Sequence, residues 1–405
     1  MRSFPMSMLI VVVCVGFAGV GVSKADYDPN GVYWDGLIGR DVSDALFSQL
    51  GTNTITMTGP TTGAFYWVGD NSDGDVSLVV AGTIPSLTFD ANQWAYMTSY
   101  FAGDPNFAMH QVLALTSNTY VSVGRDANAP PGLSLNLGMR KAPNQYDAND
   151  LVGTWAYLNH RFTDTSAELS YGTVQMSGPD GNGIYTFQTD FYQGDGTPDD
   201  NSWGTLSYNS TASLLDITVI DPNIPLVLST FSIPIGVGKM GFRMDFADYV
   251  LDANNSMGVE LIVKLGTGRT LSEVTGDWLY QGLACSARAD FGTEWGELHV
   301  DADGNFVISL HFSDSNDEAS VGWVTVADDG NVAFWGIEDG NQVLYGQGYL
   351  NLDGDLVVLG LYDDAGNDDI FMGTSYLSRA VPEPAAMAAL AAGAAWFIRR
   401  RRKTR

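Results

Sequence analysis

Cysteine is almost absent from this 405-residue sequence, which holds only Cys14 and Cys285. The chain starts with Arg2, an apolar run over residues 9–22 and then Ser23-Lys24-Ala25. This order reads as a secretory signal, with small residues at the two positions that signal peptidase inspects. Cleavage is expected between Ala25 and Asp26, and the sequence VVVCVG around Cys14 lacks the setting of a lipid-attachment cysteine. Cys285 then has no partner in the mature chain. An internal disulfide is excluded, so stability has to come from packing. A lone thiol of this kind reads as a small core residue rather than a nucleophile.

Basic residues are scarce as well: 19 Lys and Arg face 47 Asp and Glu, for a formal net charge of −28. Arg2, Lys24 and the basic residues after Ile398 lie in the two end segments, which leaves the body more acidic still. Such a surface repels nucleic acid and anionic lipid, and no nucleic-acid partner is expected. Histidine is limited to His110, His160, His299 and His311, too few and too scattered to suggest a metal centre. Gly-x-Ser-x-Gly, a phosphate loop and His-Glu-x-x-His are all missing. Glu294, Glu297 and Glu338 flank Trp295 and Trp335, a combination that can serve glycoside hydrolysis. In so acidic a chain it reads first as solvated faces and guarded edges. No catalytic, cofactor-binding or metal residue is expected.

Long helical patterns are missing too. Short apolar runs such as TLSYN, LLDITVI, NFVISLHF and DLVVLGLY alternate with Gly/Asp/Asn/Ser/Pro clusters, the mark of an all-β chain. VSDALFSQL, residues 42–50, is the one short helix expected. DLVGTWAY and EVTGDWLY share Gly-x-Trp-x-Tyr around Trp155 and Trp278, each preceded fourteen residues earlier by a lysine, Lys141 or Lys264. MGTSYLSRA supplies a third ending, and NGVYWDG a looser opening around Trp34. The reading is three tandem antiparallel β modules, residues 26–143, 144–268 and 269–380, after a signal peptide over 1–25. Each has room for seven to nine strands, as a barrel or a sandwich, and consecutive hairpins favour the barrel. The Gly-x-Trp on each opening strand resembles the lipocalin signature, which implies a tryptophan closing one end of a barrel. Trp323 or Trp335 is expected to fill a barrel end or core in the same way.

Asp-Gly-Asn and Asp-Gly-Asp recur along the body. From Asp301 the spacing fails an EF-hand, because glycine is fourth and position twelve is Phe312. As hairpins they fit. A loop at Ala302-Asp303-Gly304 sets Leu298 opposite Ile308 and Val300 opposite Phe306. The same register sets Val324 opposite Phe334, Val326 opposite Val332, and Leu350 opposite Leu356. It also places His299 opposite Val307 and His311 opposite Trp295, about 13 Å apart along the strand, too far to share a metal. Acid clusters such as Asp363, Asp364, Asp368 and Asp369 leave two readings open, weak surface calcium binding and solubility.

The chain ends in VPEPAAMAALAAGAAWFIRRRRKTR, residues 381–405. A proline-rich turn is followed by an uncharged run over 385–398 and a basic block. Fourteen residues of helix reach roughly 21 Å, short of a hydrocarbon core of about 30 Å, so this segment suits temporary retention. Cations beside it stay on the cytoplasmic side. Val381, Pro382, Glu383 and Pro384, the short apolar helix, and Arg399, Arg400, Arg401 and Arg402 resemble the PEP-CTERM sorting signal of Gram-negative bacteria. The resemblance covers only this tail. It implies an exosortase-type processing enzyme as partner, transient anchoring in the inner membrane, removal of the tail, and delivery to the cell surface or the exopolysaccharide matrix.

Three functions follow as expectations. The first is a structural or adhesive surface component without catalysis. The second is a barrel that binds a carbohydrate or a small apolar ligand. The third is a polysaccharide-active enzyme. An open, apolar-lined barrel interior would favour the second, and a closed core the first.

Overall fold

A computed structural model describes residues 29–379, apart from 41–45, 72–76, 91–93, 103, 117, 127–131, 142–145, 163–166, 200, 221–226, 247–256, 286–291, 313–316, 339 and 365–369. Ala25, Asp26 and the whole tail from Val381 to Arg402 lie outside the described residues, as do Cys14, Asp368 and Asp369. No helix among the described residues is long and apolar enough to cross a membrane.

The chain forms three closed antiparallel barrels of eight strands each, every strand pairing with its neighbours in sequence and the last with the first. The first barrel holds β1 (Gly31–Arg40), β2 (Leu46–Met57), β3 (Gly63–Asn71), β4 (Leu78–Phe89), β5 (Ala95–Phe101), β6 (Asp104–Leu115), β7 (Thr119–Asp126) and β8 (Leu133–Arg140). The second holds β9 (Gly153–Phe162), β10 (Ala167–Ser177), β11 (Ile184–Gln193), β12 (Trp203–Asn209), β13 (Leu214–Ile220), β14 (Val227–Gly236), β15 (Met240–Phe246) and β16 (Met257–Lys264). The third holds β17 (Gly276–Cys285), β18 (Gly292–Val300), β19 (Asn305–Phe312), β20 (Asp317–Val326), β21 (Asn331–Glu338), β22 (Asn341–Leu350), β23 (Leu356–Asp364) and β24 (Ile370–Arg379). Closure leaves no sheet edge unpaired, which is how an all-β chain of this length avoids edge-to-edge association. The expected helix over 42–50 is corrected in part: residues 46–50 run into β2, and 42–45 lie outside the described residues.

One device closes the same end of all three barrels. Trp155 and Trp278 are buried on β9 and β17, and each indole N–H donates to a carbonyl four residues back, Leu151 at 2.9 Å and Val274 at 2.8 Å. In the first barrel Tyr33, not Trp34, takes this place. Its hydroxyl donates to the Pro29 carbonyl, again four residues back, at 3.2 Å. A basic residue at the end of the last strand lies opposite each ring: Arg140 opposite Tyr33, Lys264 opposite Trp155, Arg379 opposite Trp278. The guanidinium groups of Arg140 and Arg379 cover their rings at 5.4 Å and 4.5 Å, a cation–π arrangement. The lysine repeat therefore needs a correction of one residue. Arg140 is the counterpart of Lys264, while Lys141 sits over the Trp34 ring at 4.2 Å.

Two of the three hairpins keep their expected register: Leu298 pairs with Ile308, Val300 with Phe306, Val324 with Phe334 and Val326 with Val332. Gly304 and Gly330 take the left-handed φ of 86° and 90° that such loops require. The third differs by one residue, because Leu350 pairs with Val357 rather than Leu356. Asn351 is the reason. Its side-chain oxygen accepts the N–H groups of Asp355 at 3.0 Å and Leu356 at 3.1 Å, which lengthens the loop by one position.

The barrels pack side by side with their plugged ends together. Arg140 accepts from Val237 N–H at 2.9 Å at the β14–β15 turn, and Leu265 bridges to Asn351 at the β22–β23 turn. Between them lies a shared apolar core to which all three contribute outward-facing residues, among them Leu135, Leu137 and Met139, Leu158, Phe242 and Leu261, and Leu283, Val358 and Tyr376. Contact is close enough that a Cβ on Gly36 would meet Phe242 at 2.3 Å and Met244 at 2.4 Å. Trp94 stands edge-on to Trp295 at 5.3 Å where the first and third barrels touch, and Gln281 donates to the Val112 carbonyl at 2.6 Å there.

Gly36→Val is expected to lower the unfolding free energy by about 1–3 kcal/mol through overpacking. Val321→Ala, on an outward face 67% exposed, should stay within about 0.5 kcal/mol. Urea unfolding followed by circular dichroism measures both. Equal effects would contradict a tight first-to-second barrel contact at Gly36.

Candidate functional site

In a β-strand, side chains alternate between the two faces. On β7 and β8 the shared inter-barrel core takes the apolar set: Val121, Val123, Leu133, Leu135, Leu137 and Met139 all point outward into it. The inward set is what remains, namely Tyr120, Ser122 and Gly124 facing Gly138, Asn136 and Ser134. At three of the six matching places the third barrel has leucine, Leu377, Leu359 and Leu361, where the first has Gly138, Ser122 and Gly124. Counted from the plug, Val357 pairs with Leu377, Leu359 with Ser375 and Leu361 with Gly373, and these aliphatic chains help fill its interior. Small and polar residues in their stead leave the first barrel with a cavity of about 270 Å³.

Most of that cavity is apolar. Ile55, Phe65, Trp67, Ile84, Leu87, Met97, Leu113 and Leu115 are among the residues lining it, with Leu37, Phe47, Phe101 and Met109 on the side away from the plug. Phe65 and Phe101 meet edge to face at 5.7 Å. The polar part is compact. Asp35 lies on β1 two residues beyond the plug Tyr33, hence inward. It accepts hydrogen bonds from the hydroxyl of Tyr120 and from Asn53 Nδ2, the latter at 3.4 Å, and the Trp67 side chain also bonds to it. Burial pushes the Asp35 carboxyl up from its ordinary range, and these three hydrogen bonds pull it part of the way back. One layer further from the plug, Asn136 faces Leu37 across the β1–β8 pair. Asn136 Nδ2 and Gln111 Nε2 both donate to Ser122 Oγ, at 3.0 Å and 3.1 Å.

The third barrel buries an acid too. Glu294 faces Gly282 on β17 and accepts from the Tyr280 hydroxyl, which also meets Ser375 Oγ at 2.6 Å. Desolvation lifts this carboxyl to about 7, with the Tyr280 hydrogen bond opposing and nearby Glu318 adding to the rise. In the second barrel an apolar cluster fills the plug end around Trp155, Leu206, Leu215 and Ile233.

The residues singled out from sequence do not meet in one place. Glu294 is inside the third barrel, while Glu297 and Glu338 are exposed. His299 and His311 pair with Val307 and Trp295 as expected, and each bonds a neighbouring acid, Asp277 at 2.6 Å and Asp317 at 2.8 Å. His110 is exposed and bonds Thr98 at 3.2 Å. His160 is fully buried in the outward face of β9, and burial lowers its imidazole to about 4. Among the described residues no three His, Cys, Asp or Glu side chains are placed to hold a metal. Trp323 and Trp335 need a correction: they pair across β20 and β21 on the outside of the third barrel, since their neighbours Val324 and Phe334 fill its core. Trp295 is engaged by Trp94 and, at 4.4 Å, by His311. Asp35 gave no signal in the sequence. Aligning Tyr33 with Trp155 and Trp278 would have placed it inward, two residues along.

No family model matches the chain, and no curated protein matches it. Solved structures similar to it include a de novo designed fluorescence-activating β-barrel, 16% identical, covering 30% of this chain and 99% of the design at a TM-score of 0.23. A Nostoc punctiforme protein of unknown function from the DUF3598 family is 12% identical, covering 87% of this chain and 96% of its own at 0.21. The isotype 1 transferrin binding protein B of serogroup B Neisseria meningitidis is 8% identical, covering 89% and 79% at 0.23. These similarities identify neither a family nor an activity.

Glu294 generates a pH prediction. Its carboxyl is raised in the folded protein from about 4.5 to about 7, so its contribution to stability is complete below pH 4.5 and is lost as pH rises through 7. Glu294→Gln is expected to remove a loss on the order of 2–3 kcal/mol across that window. Thermal or urea unfolding of both proteins at pH 4.5 and 7.5 measures it, and parallel profiles would contradict the assignment.

Proposed function

We propose that the protein is an exported binding protein whose first barrel is a calyx for a small, largely apolar ligand, with the second and third barrels as its support. The observation that carries this reading is the cavity of about 270 Å³ beside the Asp35–Tyr120–Asn53 cluster. Small-molecule sites are mostly apolar concavities with a few convergent polar groups, and this interior has both. At roughly the 30 Å³ that a water-sized group occupies in a liquid, the space suits about nine non-hydrogen atoms. The shared apolar core favours the support role. The shared core turns the apolar faces of β7 and β8 outward, and the first barrel stays open inside because its neighbours cover it.

Export and sorting belong to the same proposal. The signal ending at Ala25 and the tail from Val381 to Arg402 would place the barrels outside the inner membrane, with an exosortase-type enzyme removing the tail. Intact mass of the surface-released protein checks this: a chain running from Asp26 and lacking 381–405 is expected, and a retained tail would contradict it.

An adhesive role is the second reading, favoured by the outer face of the third barrel. Val307 pairs with Val321 and Trp323 with Trp335, and Val307, Val321 and Ile337 are 52%, 67% and 66% exposed.

The calyx is tested with 1-octanol, a neutral ligand of nine non-hydrogen atoms. Calorimetric titration of the full chain is expected to show one saturable site, and Ser99→Leu, which fills the lining at a buried inward position, should weaken it at least about tenfold, or 1.4 kcal/mol. Unaltered binding to Ser99→Leu, or no saturable binding to the parent, would overturn the proposal.

A further inference from the structure

The first barrel's polar groups are unevenly matched, and the imbalance specifies a ligand chemistry. The side-chain N–H donors grouped around Asp35 and Asn136, and the Tyr120 hydroxyl, are engaged within the protein. The Tyr120 hydroxyl, Asn53 Nδ2 and Trp67 turn to Asp35, while Asn136 Nδ2 and Gln111 Nε2 turn to Ser122. The acceptors are in surplus. Asn53 Oδ1 and Asn136 Oδ1 are buried without a hydrogen-bond partner, and Asn136 as a whole is only 4% exposed. A buried acceptor left unmatched costs about 1–3 kcal/mol, so these oxygens are what an incoming donor would satisfy.

Charge points the same way. Among the described residues no Lys, Arg or His lines the cavity, and the one carboxylic acid there is Asp35. An anionic head group would enter an apolar space beside a buried carboxyl, with no cation and two more carbonyl oxygens to meet. A cationic head group would find a carboxyl and two amide oxygens. Burial already disfavours the ionised form of Asp35 in the empty barrel, and a bound cation would restore it.

We infer that the ligand of the first barrel carries a hydrogen-bond-donating, acid-free head group, a protonated alkyl amine above all, held by Asp35 together with the free oxygens of Asn53 and Asn136. This rests on the calyx reading above and narrows it. Asp35 and Leu37 are inward neighbours on β1, about 7 Å apart, and Asn136 faces Leu37. The acceptors thus lie in two adjacent layers of the interior, and an ammonium group has three N–H bonds to offer them. The chain of such a ligand lies along Leu37, Phe47, Phe101 and Met109.

The test compares n-octylamine, 1-octanol and octanoate by calorimetric titration of the full chain at pH 7.5 in 150 mM salt, which screens attraction to the acidic exterior. Octylamine is expected to bind at least tenfold more tightly than octanoate. Asp35→Asn should weaken octylamine on the order of tenfold or more, and by a larger factor than it weakens octanol. Asn136→Leu, a second variant that removes one free oxygen, should weaken octylamine as well, so the inference does not hang on whether Asp35→Asn folds. Circular dichroism identifies the folded variants, and Ser99→Leu reports binding outside the barrel. Octanoate binding as tightly as octylamine, octylamine unaffected by both head-group variants, or octylamine binding undiminished by Ser99→Leu would each overturn the inference. In those cases octanol binding that Ser99→Leu abolishes would leave the calyx standing. Failure of all three ligands would overturn both.

Discussion

The constraint on which this molecule turns is that three barrels share one apolar core lying outside all of them. A solitary barrel points its apolar residues inward and its polar residues to water. Here the strands at the centre of the assembly are covered on both sides. β8 is buried along almost its whole length, and so is β16. The apolar half of β8, with Leu135, Leu137 and Met139, joins Phe242, Met244 and Leu261 of the second barrel and Tyr376 of the third. Burial of this kind contributes on the order of 25 cal/mol per Å² of apolar surface. In a chain that can form no internal disulfide among its described residues, it is the main source of cohesion between barrels.

What each barrel contains follows from what its outward faces owe to that core. The same plug and basic partner close all three, so the interiors start from one template. Two positions past the plug stand Asp35, Tyr157 and Tyr280, and these three residues set three different interiors. Tyr157 stacks on Phe191 at 4.2 Å in the second barrel. Tyr280 bonds the buried Glu294 and Ser375 of the third, beside Leu359 and Leu361. Asp35 meets a ring of small and polar residues on β7 and β8, and space is left over. The repeat is one frame used three times, with three different interiors.

Much of the architecture was legible in the sequence. Short apolar runs between turn residues gave the all-β class, Gly-x-Trp gave the plug in two barrels, and the Asp-Gly hairpins around Gly304 and Gly330 gave their registers. The misses have physical causes. Tyr33 performs the work of Trp155 with a hydroxyl in place of an indole N–H, so Gly-x-Trp does not reveal it, and Trp34, one residue on, faces the inter-barrel core. Asn351 adds a position to its loop through side-chain hydrogen bonds that spacing does not reveal. The site was the least visible part. The alternation in LSLNLGM is plain, yet alternation does not say which face is inside, and a strand covered by neighbouring barrels inverts the usual answer. One aspartate in an acid-rich chain carried no mark of its own.

The methionines offer the most direct test of the central claim, that the first barrel alone holds an apolar ligand inside a support built by the others. Met57, Met97 and Met109 line the cavity, whereas Met139, Met240, Met244 and Met257 belong to the inter-barrel core. Methyl NMR of methionine-labelled protein titrated with 1-octanol should move the first three resonances and leave the other four in place. Shifts confined to the inter-barrel four, or spread equally over all seven, would contradict the account.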